Sequence, residues 1–567
     1  MKRILTLIIL SVVVSYGCND DFTKESPKGT LNSEVLQNAE GVDLLLTSAY
    51  GLLDGFITGD PWQGSSDGWW LDVTTDDAHK GSTDVDQPDL QRLQMYNWTA
   101  DNPYLFTKWV AVYGGVDRAN SVINLAESIE GQDFSAKIAE ARFLRAHYHF
   151  ELQRLWGQVS YISEADQLDP NIPNTGAIWD KIEEDYQFAI DNLPTTQPVP
   201  GRVTSWTAKA FLAKVHLEQH EYTEAIALFT DVINNGPYSL AAEFQDNFTW
   251  AGKNGSEAIM SIEFAVGGVA NDANGNQGAT LTHPGGGPYE SCCGFYQPSQ
   301  NLANAFQTDA GGLPLLDTYA DNDIANDAGI SENDPFTPHA GNLDPRIDYT
   351  IGRRGIDFNG YGMNPGQSWV RGYETGGPYL HKKGSYKKEE EDQSKGSGSW
   401  GQQSSGLNYN IMRYADLLLL AAEAEIEGGS LAIAEGYVNE VRNRAKNMTY
   451  VKELDVNGEF TANNAANYVI EPYPDGTFTA QGQAYARKAM RLERRLELGM
   501  EGHRYYDIRR YGEAPSIMNA WLVDEDRIFG NARFGSVSVS DKHNYLPIPI
   551  RAIDLSNGVL TQNDNWK

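Results

Sequence analysis

The flat C–H face of a ligand stacks on a tryptophan or tyrosine ring, and carboxylate, carboxamide or guanidinium groups beside it bind hydroxyls. This chain carries 13 Trp and 29 Tyr. Trp109, Trp156, Trp179 and Trp206 fall on helical patterns and read as packing. Trp62, Trp69, Trp70, Trp98, Trp250, Trp369 and Trp400 fall in loop-rich stretches, where packing explains an aromatic less readily. Trp62, Trp98 and Trp369 are the candidates for ligand stacking, and one of the neighbours Trp69 and Trp70 is expected to face inward.

Catalytic chemistry is weakly signalled. Gly64-Ser65-Ser66-Asp67-Gly68 fits G-x-S-x-G, but no strand precedes it and no helix follows directly. His216 and His220 sit four apart on a helix, but the acid is Glu218 rather than the residue after the first His, so the zinc-protease pattern fails. Asp321-Asn322-Asp323 with Asn326 and Asp327 lacks the spacing and glycine of a calcium loop and reads as an Asp-rich turn. None of the 77 acidic residues sits in a recognisable glycosidase motif. No catalytic residue, metal or cofactor is expected.

Composition narrows the partners. The 567 residues carry a formal charge of -33, which disfavours nucleic acid. It argues more weakly against polyanionic glycans. Lys382, Lys383, Lys387 and Lys388 form a candidate basic patch, set against the reading of a solvated loop. Mean hydropathy is -0.47 and no later segment has the roughly 20 apolar residues of a membrane helix. At the N-terminus, Lys2 and Arg3 precede a short apolar run, Ile4–Val14, then Ser15, Gly17 and Cys18. That is the layout of a lipoprotein leader, residues 1–17, cut before a lipid-bearing Cys18. The other two cysteines, Cys292 and Cys293, are adjacent, and such pairs rarely bond to each other, so no disulfide framework is expected.

The elements that must position these residues are mostly helices. Apolar periodicity predicts helices over Gly115–Ser128, Ala136–Trp156 and Trp179–Leu193. Thr207–Gln219 with Tyr222–Asn234 reads as a hairpin resembling a tetratricopeptide unit, and the pattern recurs at Arg413–Glu427 and Ser430–Ala445. A further helix is expected from about Ala484 to Met500. From about Ala251 to Gly406 the chain is rich in Gly, Asn, Asp, Pro and Tyr, with only a strand-like run at Ile259–Phe264 and a helical patch near Asn301–Phe306. Long loops of this kind are usually functional. Ser394–Gly406 is Gly/Ser-rich and reads as mobile.

Six blocks carry a resemblance. AEARFLRAHYHFELQRLWG at Ala139–Gly157, GRVTSWTAKAFLAKVHL at Gly201–Leu217, MRYADLLLLAAEA at Met412–Ala424 and VNEVRNRA at Val438–Ala445 resemble blocks of the SusD/RagB outer-membrane nutrient-binding lipoproteins. So do ERRLELGMEGHRYYDIRR at Glu493–Arg510 and YLPIPIRAIDLSNGVLTQN at Tyr545–Asn563. The resemblance implies a mostly α, SusD-like fold with about four tetratricopeptide-like helix pairs and a large loop-rich insertion. The expected division is an N-terminal helical part at 18–250, an insertion at 251–406 and a C-terminal helical part at 407–567, all one domain.

The resemblance also implies a non-catalytic glycan-binding protein, lipid-anchored at the outer-membrane surface beside a SusC-like TonB-dependent transporter. Asn19, Asp20 and Asp21 after Cys18 resemble a Bacteroidota surface-export signal. LDVTTDDAHKGS at Leu71–Ser82 and CCGFYQPSQNLANAFQTD at Cys292–Asp309 look like the branch that includes levan and laminarin binders. Matching its sugar-contacting positions are Cys292, Arg371 and Tyr386, and less closely Asp84, Asp86 and Trp98. Pro61 and Gln63 stand where levan binders have acids and amides, and Trp62 between them suits glucose rings. The expected ligand is therefore a laminarin-type β-1,3-glucan, with a fructan next. A glycoside hydrolase on a helical scaffold and a non-sugar-binding assembly subunit are the alternatives.

Overall fold

A computed structural model describes residues 36–57, 61–167, 171–267, 274–289, 293–397, 404–529 and 533–567. The leader, Cys18, Cys292 and the middle of the Gly/Ser-rich run lie outside these residues. The described flanks of that run pair with each other, Gly396 with Ser404 and Ser394 with Gly406.

Helices dominate, as the periodicity predicts. The first is α1, Ala39–Gly51, capped by the Asn38 side chain on Gly41 N–H. Then come α2 (Pro103–Ser128), α3 (Ser135–Trp156), α4 (Trp179–Asn192), α5 (Ser205–Glu218) and α6 (Tyr222–Asn235). Asn102 caps α2 and Pro103 fills its first turn, which starts it a dozen residues before the apolar stripe becomes legible. A Thr204–Thr207 capping box opens α5. Gly157, at φ +73°, ends α3. The C-terminal part holds α7 (Tyr414–Gly428), α8 (Leu431–Asn447), α9 (Gln483–Leu498) and α10 (Ala514–Phe529).

Each helix packs on its successor from α1 to α6, and α6 then packs on α7, across the whole loop-rich region. That region leaves and rejoins the helical stack at one place. Strand β2 (Ala258–Ile262) follows α6, and β6 (Tyr409–Arg413) runs straight into α7. They pair antiparallel, Ala258 opposite Arg413 and Ile262 opposite Tyr409. Between them, β3 (Phe295–Pro298) pairs back to β1 (Ala78–Gly81) of the N-terminal part, and β4 (Ile351–Gly352) pairs with β5 (Leu380–His381). A hairpin of β7 (Lys452–Leu454) and β8 (Phe460–Asn464) follows α8.

One apolar core runs from Val42 to Ala552, and a second, small cluster of Tyr289, Phe358, Leu380, Tyr386 and Leu407 lies under the loops. Where the loop-rich region meets the C-terminal helices the core is ionic. Arg413 is fully buried and reaches Glu497 at 2.6 Å, Glu501 at 2.9 Å and Glu257 at 3.2 Å. Arg346 bridges Glu493 and Glu497, Arg444 holds Glu257 and Glu497, and Lys383 holds Glu501 at 2.7 Å. The sequence blocks around Met412, Val438 and Glu493 thus encode this network, which spans β6, α8 and α9. Arg495 and Arg504 extend it to Asp76 and Asp77 beside β1.

Candidate functional site

The β1–β3 ladder sets the loop after β1 against the one before β3. Gly81 (φ +72°) meets Gly294 so closely that a Cβ there would lie 2.3 Å from the Gly294 carbonyl oxygen. Ser82 follows at φ +54°, a strained setting for a non-glycine residue. Bonds fix it from both sides: its N–H donates to Gly294 O at 2.8 Å, and its carbonyl accepts from the Thr375 hydroxyl. A third segment, 368–372, packs on Gly285, Gly286 and Gly287. Added Cβ atoms would lie 2.4 Å from Arg371 Cβ, 2.6 Å from Ser368 O and 2.5 Å from the Trp369 ring. Three glycines in a row are required for this approach.

Three candidates meet at this junction. Arg371 donates to Asp86 Oδ2 at 2.7 Å and to Ser82 Oγ at 3.2 Å, and Ser82 Oγ donates to the same Asp86 oxygen at 3.0 Å. The two charged side chains are 36% and 30% exposed, so their remaining donors and acceptors face solvent. Trp369, half-buried, lies edge-on to Phe358 with ring centres 5.9 Å apart. Beneath, Lys80 donates to the Thr83 and Asp86 carbonyls at 2.7 Å. Burial pushes its ammonium down to about 8 against the opposing pull of Asp86 and Asp84. Asp84 lies at the edge of the same charge cluster, paired to Arg533 at 2.6 Å. A charged fork and a half-buried ring carried two residues apart on one segment are the kinds of group that sugar hydroxyls and C–H faces require.

Other expectations fail. Trp98 is 3% exposed, stacks on Tyr96 and donates its indole N–H to Leu93 O at 2.8 Å, so it is core. Trp62, 6% exposed, lines a crevice of about 10 Å³ with Asp67 and Asn276, room for about one water. It offers no stacking face, which removes the argument from Trp62 for glucose over fructose. Tyr386 is buried in the small cluster; its carbonyl accepts from the Tyr289 hydroxyl at 2.6 Å, and it supports the floor of the site. Burial pushes His283, packed on both rings, down to about 3, leaving a neutral aromatic floor. Cys292 lies outside the described residues. Its neighbour Cys293 is disulfide-bonded, contrary to the expectation that no cysteine bridges. Both Trp69 and Trp70 are buried, not one of the pair.

The weak catalytic motifs resolve into structure. Ser66 donates to Glu151 at 2.9 Å, and Lys108 ties Glu151 to the carbonyls of Gly64 and Ser65. Asp323 bonds Asn304 and Arg527, and Asn326 bonds Gln300. His216 pairs with Glu221 at 2.6 Å; with Glu183 these form the one metal-capable trio among the described residues, and His220 is not in it. Lys382 and Lys383 are buried, not solvated: Lys382 donates to the Asp348 and Asp357 carbonyls. Sequence reasoning missed Ser82, whose positive φ has no signature, and the Gly285–Gly287 run, which does.

A family model for the SusD family matches residues 256–566, and one described as starch-binding and associating with the outer membrane matches 24–217. The chain belongs to the SusD family. A SusD-like protein of Bacteroides ovatus is 24% identical over 473 residues, 79% of this chain and 77% of its own. A solved structure called a laminarin-binding SusD-like protein is 22% identical with a TM-score of 0.65, covering 93% of this chain and 99% of that one. Surface glycan-binding protein A from Bacteroides thetaiotaomicron, solved with laminarihexaose, is 22% identical with a TM-score of 0.60 over the same shares. Among the described residues no helix is long and apolar enough to cross a membrane.

Proposed function

We propose that this SusD family member captures a neutral oligosaccharide or polysaccharide at the cell surface and passes it to a SusC-like TonB-dependent transporter, without catalysis. Cys18 carries the lipid that holds it to the outer membrane. One domain, with its loop-rich insertion at 251–406, makes the capture site. The observation that carries the reading is the partly exposed Asp86–Arg371 fork, held where the segment carrying Trp369 and Arg371 packs on Gly285–Gly287. A solvent-exposed platform of this kind buries little area, so binding is modest. Laminarin is favoured over levan because two solved neighbours carry laminarin or laminarihexaose in their descriptions.

Calorimetric titration of the protein lacking the leader and Cys18 against laminarin, levan, starch, xylan and alginate tests this. Heat with laminarin is expected, reduced at least tenfold in affinity by Arg371→Ala and by Trp369→Ala. Silence on every neutral glycan sinks the receptor reading. Reducing ends released from any of them would favour a hydrolase instead.

A further inference from the structure

Next to the segment that carries Phe358 lies a cavity of about 720 Å³. Phe358 itself packs against Trp369, while its neighbours Asp357, Asn359 and Gly360 line this second space. The walls come from five further segments: Gln245, Tyr349 before β4, Lys382 to Glu389, Tyr450 with Lys452 at β7, and Phe460 on β8. The chain as a whole has 44 basic against 77 acidic residues, yet this cavity reverses the balance. It is lined by Lys382, Lys387, Lys388 and Lys452 against Asp357 and Glu389. The Asp357 carboxylate is already occupied, accepting from the N–H groups of Gly360 at 2.8 Å and Gly362 at 3.1 Å. Glu389, 77% exposed on its side chain, lies 3.8 Å from Lys387, too loose to neutralise it. Lys382 spends its ammonium on two carbonyls in the floor. Asp246 also acts on Lys387 and Glu391 on the exposed Lys388, but neither forms an ion pair with it; among the described residues Lys452 bonds to the neutral amide oxygen of Asn464 at 2.8 Å.

Phe460 is 59% exposed at this lysine-rimmed cavity, where an apolar ring gains nothing from water. A ring there stacks on the C–H face of a pyranose, while ammonium groups take up a negative substituent.

We infer that this cavity is a second glycan site, for a sugar residue bearing a carboxylate or a sulfate ester. Its carbohydrate character rests on the surface-glycan reading; its charge selectivity rests on the lysines alone. Lys387, Lys388 and Lys452 neutralise the anion and Phe460 supplies the stacking face. The protein then holds an acidic glycan at one site and a neutral segment at the Asp86–Arg371 fork.

Titrations of the full chain in detergent test this with three probes: an oligogalacturonate for the carboxylate, a carrageenan oligosaccharide for the sulfate, and laminarihexaose as the neutral reference. At least one acidic probe is expected to bind, with affinity that falls as salt rises. The Lys387→Ala/Lys388→Ala/Lys452→Ala variant and Phe460→Ala are each expected to weaken it at least tenfold. Arg371→Ala should leave it within twofold, and the lysine variant should leave laminarihexaose unchanged. All replaced groups are at least partly exposed, and unchanged circular dichroism of the variants serves as the folding control. Failure of both acidic probes on the wild type overturns the inference, as does equal binding by the lysine variant or by Phe460→Ala. Loss of laminarihexaose binding alone would instead overturn the neutral-glycan reading and leave this site standing.

Discussion

Asp67 shows what burial does to one carboxyl group. It lies beside Trp62 and Asn276, almost without solvent. Burial pushes it up to about 7, against the pull of Lys108. The unfolded chain ionises this group near its ordinary 3.8 and the folded chain does so near 7. The folded state therefore binds the extra proton between those values, and stability falls as pH rises through that window. Asp67→Asn removes the penalty. It should raise unfolding free energy by about 3–4 kcal/mol at pH 8 and by almost nothing at pH 4, read from urea denaturation at the two pH values. The same residue scale explains which candidates were legible. Arg371 and Asp86 are charged and partly exposed, so a role at the surface follows from their type. Trp62, Trp98 and Tyr386 were not legible, because an aromatic in an irregular stretch serves packing as well as binding. Residue type does not reveal which way such a ring faces.

At the scale of elements, periodicity found the long helices because their apolar stripes repeat. It also missed charges that behave as core. Helix α9 buries Glu493, Arg494, Arg495 and Glu497 beside Leu496 and Met490, which reads in sequence as a solvated face. Such a network is tolerated only when every member is paired. Arg413→Met, which leaves Glu497 and Glu501 short of a partner, should cost about 3–5 kcal/mol in urea denaturation. The loops were legible as loops, but their docking was not. It depends on close backbone contacts such as the one at Gly285. Gly285→Val places a branched side chain where Arg371 Cβ stands 2.4 Å from the new Cβ. On the proposed glycan-capture reading, affinity for the glycan that binds at Arg371 should drop at least tenfold in titration, while the urea midpoint moves little because the helical stack is untouched.

Over the whole molecule, acid should be the effective denaturant. Burial alone would raise Glu501, but Arg413 and Lys383 outweigh it and hold the carboxyl down at about 2. Asp507 is held at about 2 by Arg494 and Arg510 in the same way. Groups depressed like this contribute stability that is complete above the unfolded value near 4 and lost as pH falls toward 2. Near-ultraviolet circular dichroism should stay flat down to about pH 4.5 and collapse between there and pH 2.

The single ladder between β2 and β6 gives the architecture a modular logic. Residues 263–408 depart and return at neighbouring points, so the helical stack does not measure their length. Loop closure penalises a longer excursion only slowly, by about 0.6 kcal/mol per doubling. Evolution can therefore rewrite what this cassette presents without renegotiating the scaffold, provided its docking points are kept. The replacement must bring a strand to pair with β1, a cation where Lys383 meets Glu501, a guanidinium where Arg346 meets Glu493 and Glu497, and an amide where Asn301 meets Arg495. A graft between relatives that keeps those points should fold on the same helical stack, with an unchanged urea midpoint.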